Sequence, residues 1–172
     1  MHGNELLAEV GVVGSDPQDR TGYTLDAVGR SLRGVAGARP DVAAFACFAG
    51  YLVVDAVAGN TDRHQENWAV IESSTGDRRL APSFDHASSL GFLLADDARA
   101  TMLATNDSNR TPDAWAERAR TRFEGHPHPV EIARASIERA GPELAALLLG
   151  RLERLDLPRT VGTGPPPVRV HR

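Results

Sequence analysis

The sequence predicts a mainly α-helical domain carrying one small β-hairpin, and three observations lead there. Apolar residues recur at helical spacing in several segments, each bounded by capping or breaking residues. One stretch, 42–59, is apolar almost all round and too long for an ordinary strand. Only near residues 67–84 does the pattern shorten to an alternation interrupted by a Ser-Thr-Gly-Asp turn.

In chain order, residues 1–23 are Gly-rich and of mixed polarity, with "GSDPQDRTG" reading as a loop. Thr24 can cap a helix over "LDAVGRSLRGV", with Leu25, Val28 and Leu32 on one face. "ARPD" breaks it, and Asp41 is placed to cap the buried helix "VAAFACFAGYLVVDAVAG", which Gly59 ends. Asp55 interrupts that helix, so it sits on a wet edge or pairs with an arginine. "NWAVIES", "STGDRR" and "LAPSF" read as a first arm, a turn and a return arm that Pro82 keeps short. Helices follow in "DDARATMLAT", in "NDSNRTPDAWAERARTRF" with Thr111 as cap and Pro112 at the first position, in "HPHPVEIARASIERA" and in "GPELAALLLGRLERL". Leu144, Leu147, Leu148 and Leu152 form the apolar face of the last. The expected organisation is one domain over 1–158 and a disordered Pro-rich tail over 159–172.

Composition narrows the function. The chain has 172 residues, is 41% hydrophobic and carries a net charge of −4, enough for a core and too little basic excess to draw nucleic acid or anionic membrane. Aromatic residues make up 5%, which disfavours a base-stacking platform. A single cysteine, Cys47, excludes an internal disulfide and points to a buried thiol in a cytoplasmic setting. The nineteen basic residues include no lysine, so a reaction needing an ammonium must borrow it from elsewhere.

Chemistry concentrates in "GNTDRHQENWAVI", residues 59–71. A buried helix ends there, a tight loop holds Asp62 and Asn67, and the hairpin brings the chain back to Asp85. Because adjacent strands lie about 4.8 Å apart, Asn67 entering one arm and Asp85 leaving the other are expected to converge, with Asp62 at the same mouth. Two carboxylates and an amide in one place call for a cation, and hard oxygen donors suit Mg²⁺. Phosphoryl transfer uses such a set: one Asp for the attacking hydroxyl, an Asn and a second Asp for metal on the nucleotide. The spacing from Asp62 to Asn67 matches the D-x-x-x-x-N step of kinase catalytic loops.

Beside these stand plainer readings. Asp62 and Asn67 can cap loop backbone, and Asp85 can be a turn residue. Arg63 can bind phosphate or pair with Asp55; His64 can be a ligand, a base or a packed loop histidine. Asn60 and Thr61 shape the turn, and "HPHP" is a stiffened loop rather than a metal pair. Arg118, Arg120 and Arg122 are read as a solvated face, and Trp68 and Trp115 as core or interface anchors.

"GNTDRHQENWAVI" followed by "RLAPSFDHASSLG" resembles the catalytic loop and metal-binding segment of HipA-like kinases, relatives of the phosphatidylinositol-kinase-like branch of the protein-kinase fold. The match covers 59–91, with a looser one over the preceding helix and "HGNELLA". The resemblance implies a protein-kinase-like C-lobe lacking the N-lobe: the sequence has neither G-x-G-x-x-G nor lysine. It implies ATP and Mg²⁺ as cofactors, Asp62 and Asn67 as catalytic residues, Asn67 and Asp85 as metal ligands, and His64 with them in the nucleotide-binding set. The implied partners are a protein substrate with a Ser or Thr acceptor, and an N-lobe-bearing or antitoxin-like polypeptide, without nucleic acid or membrane contact. Two readings stay open: a Ser/Thr kinase lobe, or a catalytically incomplete remnant that binds nucleotide or protein. A metal-dependent hydrolase built from Asp62, His64, Asp85 and His86 is a third.

Overall fold

The computed structural model describes residues 1–12, 20–89, 91–92 and 94–152. Seven helices and a two-stranded antiparallel sheet are found among them: α1 (Gly3–Glu9), α2 (Leu25–Ser31), α3 (Ala44–Ala58), β1 (Val70–Glu72), β2 (Arg78–Leu80), α4 (Asp96–Ala104), α5 (Pro112–Glu117), α6 (Pro129–Ala140) and α7 (Pro142–Leu152). A 3₁₀ turn at Ser108–Arg110 leads into α5. The mainly helical class with one hairpin is as the sequence predicts. The tail lies outside the described residues, as do most of "GSDPQDRTG", Leu90, Leu93 and the side chain of Leu152.

Two caps form as expected. Thr24 Oγ1 accepts the Ala27 N–H (3.1 Å) and Thr111 Oγ1 that of Ala114 (3.2 Å). Asp41 does not cap α3; the helix begins after Ala43, whose side chain offers no acceptor. The exposed Asp41 pairs with Arg39 instead (3.5 Å). α3 is also less buried than its all-round apolarity suggests, since Val54 and Val57 are 51% and 84% exposed. Its other side packs chiefly on α6 and buries Ala44, Phe48, Ala49 and Leu52. α1 is an element that the Gly-rich start conceals. Its Leu6 and Leu7 enter the core beside Val28, Phe48, Trp68 and Leu80.

The hairpin pairs Val70 with Leu80 and Glu72 with Arg78, and both flanks are met by other chain. Met1 and Gly3 run along β1, with Val70 N–H donating to Met1 O (2.9 Å) and Gly3 N–H to Trp68 O (2.9 Å). On the β2 side, Ala36 accepts from Leu80 N–H (2.9 Å) and donates to Arg78 O (2.9 Å). Gly3 is needed for this docking, because a Cβ there would lie 2.2 Å from Trp68 Cε2 and 2.4 Å from Gln65 O. Trp68 stacks edge-on against Phe48 at 5.3 Å, so the residue just after Asn67 is held by the core.

Two measurements check this packing. Gly3→Ala is expected to lower stability by about 1–3 kcal/mol through overpacking against Trp68, read from the urea midpoint. The second is pH dependence. Burial pushes the Tyr23 phenol well above its ordinary range and that of Tyr51 to about 12. A raised folded value favours the neutral phenol, so this stability is complete below about pH 10, where unfolded tyrosine titrates, and is lost as pH rises through the folded values. No lysine titrates in that interval. Urea midpoints should therefore fall above pH 10, and Tyr51→Phe should flatten that decline.

Candidate functional site

The loop after α3 is organised by a buried ion pair. Asp55, in the last turn of α3, and Arg63 are 4% and 2% exposed at their side chains. Arg63 Nε donates to Asp55 Oδ2 (2.8 Å) and Nη2 to Oδ1 (2.7 Å), a two-pronged contact that fits guanidinium to carboxylate. Asn60 Nδ2 adds a third donor to Asp55 Oδ1 (2.8 Å). The remaining Arg63 donors reach the Asn67 carbonyl (2.6 Å), the Phe84 carbonyl (3.0 Å) and Ser83 Oγ (3.1 Å). All five guanidinium N–H groups are thereby used, and one side chain ties together helix, loop and return arm. Of the two readings of Arg63, pairing with Asp55 is the one the structure takes. Gly59, in the left-handed region at φ 66°, turns the chain out of α3 so that Asn60 can reach back.

Within the loop, Asp62 N–H donates to Asn60 Oδ1 (3.1 Å), and Asn67 Nδ2 donates to the Asp62 carbonyl (2.7 Å). Asn67 is 5% exposed, and this bond leaves its amide oxygen as the atom a cation would use. His64 folds back on its own loop, its Nδ1 accepting the Glu66 N–H (3.2 Å). Tyr23 donates its hydroxyl to the Arg63 carbonyl (3.2 Å) from below.

Asp62 and Asn67 are thus brought into direct contact. Asp85 is brought near them through backbone: the carbonyls of Asn67 and Phe84, its chain neighbour, converge on Arg63 Nη1. Asp85 itself is exposed and left-handed at φ 55°, and its carboxylate takes no protein partner among the described residues. It does not cap a helix. His86 is exposed, hydrogen-bonded to Ser83 Oγ (3.1 Å) and 3.9 Å from Asp55 Oδ1. Among the described residues no group of three His, Cys, Asp or Glu side chains could hold a metal ion. "HPHP" serves structure: His128 Nδ1 accepts the Val130 N–H (3.2 Å) and caps α6.

Three site residues escaped sequence reasoning, Arg122 first among them. Arg122 does not belong to a solvated face; its Nε donates to Asp62 Oδ1 at 2.7 Å, both side chains being about one-third exposed. Arg118 and Arg120 do face solvent. Sixty positions separate Arg122 from Asp62, and nothing local marks it. Tyr23 and Ser83 were likewise unmarked.

The family profile of the HipA-like C-terminal domain matches residues 9–146. The chain belongs to the HipA-like C-terminal domain family. That family is kinase-related. Among solved structures, the crystal structure of a Helicobacter pylori proinflammatory kinase, CtkA, is similar at 17% identity and a TM-score of 0.43, over 91% of this chain and 72% of that one. No curated protein matches the chain by sequence. Among the described residues no helix is long and apolar enough to cross a membrane.

The buried pair invites a double-mutant test. Arg63→Met should cost about 3–5 kcal/mol by leaving Asp55 buried and uncompensated. Combining it with Asp55→Leu should restore part of that loss, read as the coupling energy from urea denaturation of the four proteins.

Proposed function

We propose that this HipA-like domain is the catalytic lobe of an ATP- and Mg²⁺-dependent phosphotransferase that acts on a Ser or Thr hydroxyl of a protein. Asp62 takes the hydroxyl proton as the oxygen attacks the γ-phosphorus and ADP leaves. Asn67, through its amide oxygen, and Asp85 would hold Mg²⁺, which neutralises charge on the nucleotide phosphates. His64 would meet the nucleotide with the ring nitrogen not used on Glu66.

The observation that carries this reading is the Arg63 hub. A guanidinium that fixes the backbone carbonyls of Asn67 and of Phe84, the residue before Asp85, on one nitrogen supports a shared role for the two metal-ligand candidates. The donor set also fits the ion, since an amide oxygen and an unengaged carboxylate are hard ligands. Because these 172 residues include no lysine, the phosphate-pairing ammonium would come from an N-lobe outside them, whether upstream in the same chain or on a partner. An antitoxin-like partner and a cytoplasmic setting belong to the same proposal.

A second reading is a catalytically incomplete module that binds nucleotide or protein. One observation favours it: the Asp62 carboxylate is already engaged by Arg122.

Calorimetric titration with Mg²⁺–ATP separates the two. Asp85→Ala and Asn67→Ala should each weaken binding by about tenfold or more, whereas Asp62→Asn should leave it nearly unchanged. In the presence of a lysine-bearing lobe, Asp62→Asn should reduce phosphate transfer by about 10²–10⁴-fold. Unaltered affinity in Asp85→Ala would overturn the metal assignment, and binding without transfer even then would leave the module.

A further inference from the structure

The return arm carries a side chain, His86, that the phosphotransfer roles leave unused. Ser83 Oγ accepts from Arg63 Nη2 at 3.1 Å and lies 3.1 Å from His86 Nε2. A guanidinium nitrogen can only donate, so the single proton of the Ser83 hydroxyl is left for another acceptor. Among the described residues the only such contact of Ser83 is His86 Nε2, and the hydroxyl therefore donates to that nitrogen. A ring nitrogen that accepts leaves the imidazole proton on its neighbour, so His86 carries Nδ1–H. Nδ1 is 3.9 Å from Asp55 Oδ1, too far for a hydrogen bond but close enough for the N–H dipole to favour the buried carboxylate. Asp55, Arg63, Ser83 and His86 form one closed circuit.

Asp85 stands between two anchored neighbours. On one side the Phe84 carbonyl accepts from Arg63 Nη1 (3.0 Å). On the other, His86 is held by its ring through Ser83 and by its carbonyl, which accepts the Ser89 N–H (3.0 Å). Asp85 between them has φ 55°, a region that a side-chain-bearing residue keeps only where its surroundings fix it. Its own carboxylate does none of that fixing, having no protein partner among the described residues. The ring of His86 is the contact that reaches back to the buried pair from beyond Asp85.

We propose that His86 is a positioning residue for Asp85: through Ser83 it clasps the chain just after this carboxylate to the Asp55–Arg63 pair, and so holds the carboxylate ready for Mg²⁺. That Asp85 receives a metal rests on the phosphotransferase reading; the clasp itself does not. A ligand whose backbone is already fixed loses less freedom when the ion arrives, and affinity rises by that saving. The same circuit joins the two metal-ligand candidates, because the guanidinium that grips Ser83 also grips the Asn67 carbonyl.

The test uses the full chain and has two arms. The first reads the tautomer from long-range proton–nitrogen correlation spectra of the imidazole rings at about pH 8.5, where an ordinary histidine is neutral. His86 should show Nδ1–H, and Ser83→Ala should release that form. An Nε2–H ring in the wild type, or a tautomer unmoved by Ser83→Ala, would overturn the clasp. In the second arm Mg²⁺ alone is titrated and followed by the amide signals around Asn67 and Asp85. His86→Leu, which keeps the bulk and removes the acceptor, should weaken the ion by about tenfold. His86→Gln, whose amide oxygen can take the Ser83 hydroxyl in place of Nε2, should recover most of that loss. Adding Ser83→Ala to His86→Leu should weaken binding no further, since both remove one contact. If Asp85→Ala loses Mg²⁺ while His86→Leu keeps wild-type affinity, the metal assignment stands and the positioning role falls. A wild type that binds no Mg²⁺ sinks the metal assignment and the positioning role together, and the tautomer then decides the clasp alone.

Discussion

One buried guanidinium holds this molecule's functional region together. Two charges taken out of water are costly to keep, and the structure offsets that cost by using every donor that Arg63 owns. The carboxylate it grips belongs to a helix packed on α6, so the loop inherits the rigidity of the core. The carbonyls it grips belong to the two arms that carry Asn67 and Asp85. A buried pair of this kind adds less to stability than its distances suggest. What it supplies is a single relative position for three segments remote from one another in sequence.

The sequence was most legible where the signals are local. Thr24 and Thr111 cap as their position ahead of apolar periodicity suggests, and the Ser-Thr-Gly-Asp turn makes its hairpin. Asp55 inside an apolar helix signals a charge partner, and Arg63, a few residues on, is that partner. α1 was not legible, because Gly3 reads as a loop residue until Trp68 is known to sit against it. Asp41 misled for a simple reason: a capping carboxylate is recognised by type, but the helix starts three residues later.

The candidate site divides along the same line. Asp62, Asn67 and Asp85 could be picked out because a spacing and a turn relate them. Arg122 could not, since its meeting with Asp62 depends on how the α5–α6 connection stacks Phe123 on Tyr23. Long-range placement of this sort follows from tertiary packing and leaves no periodic trace. The arginine that engages the Asp62 carboxylate is consequently one that a motif search passes over.

The flanks of the hairpin have a consequence for assembly. With Met1 to Gly3 along one side and Ala36 along the other, three-residue arms present no run of free backbone donors. A companion polypeptide therefore cannot join by extending the sheet. It has to recognise this domain by side chains, and its specificity will be written in surface chemistry rather than in ladder registry.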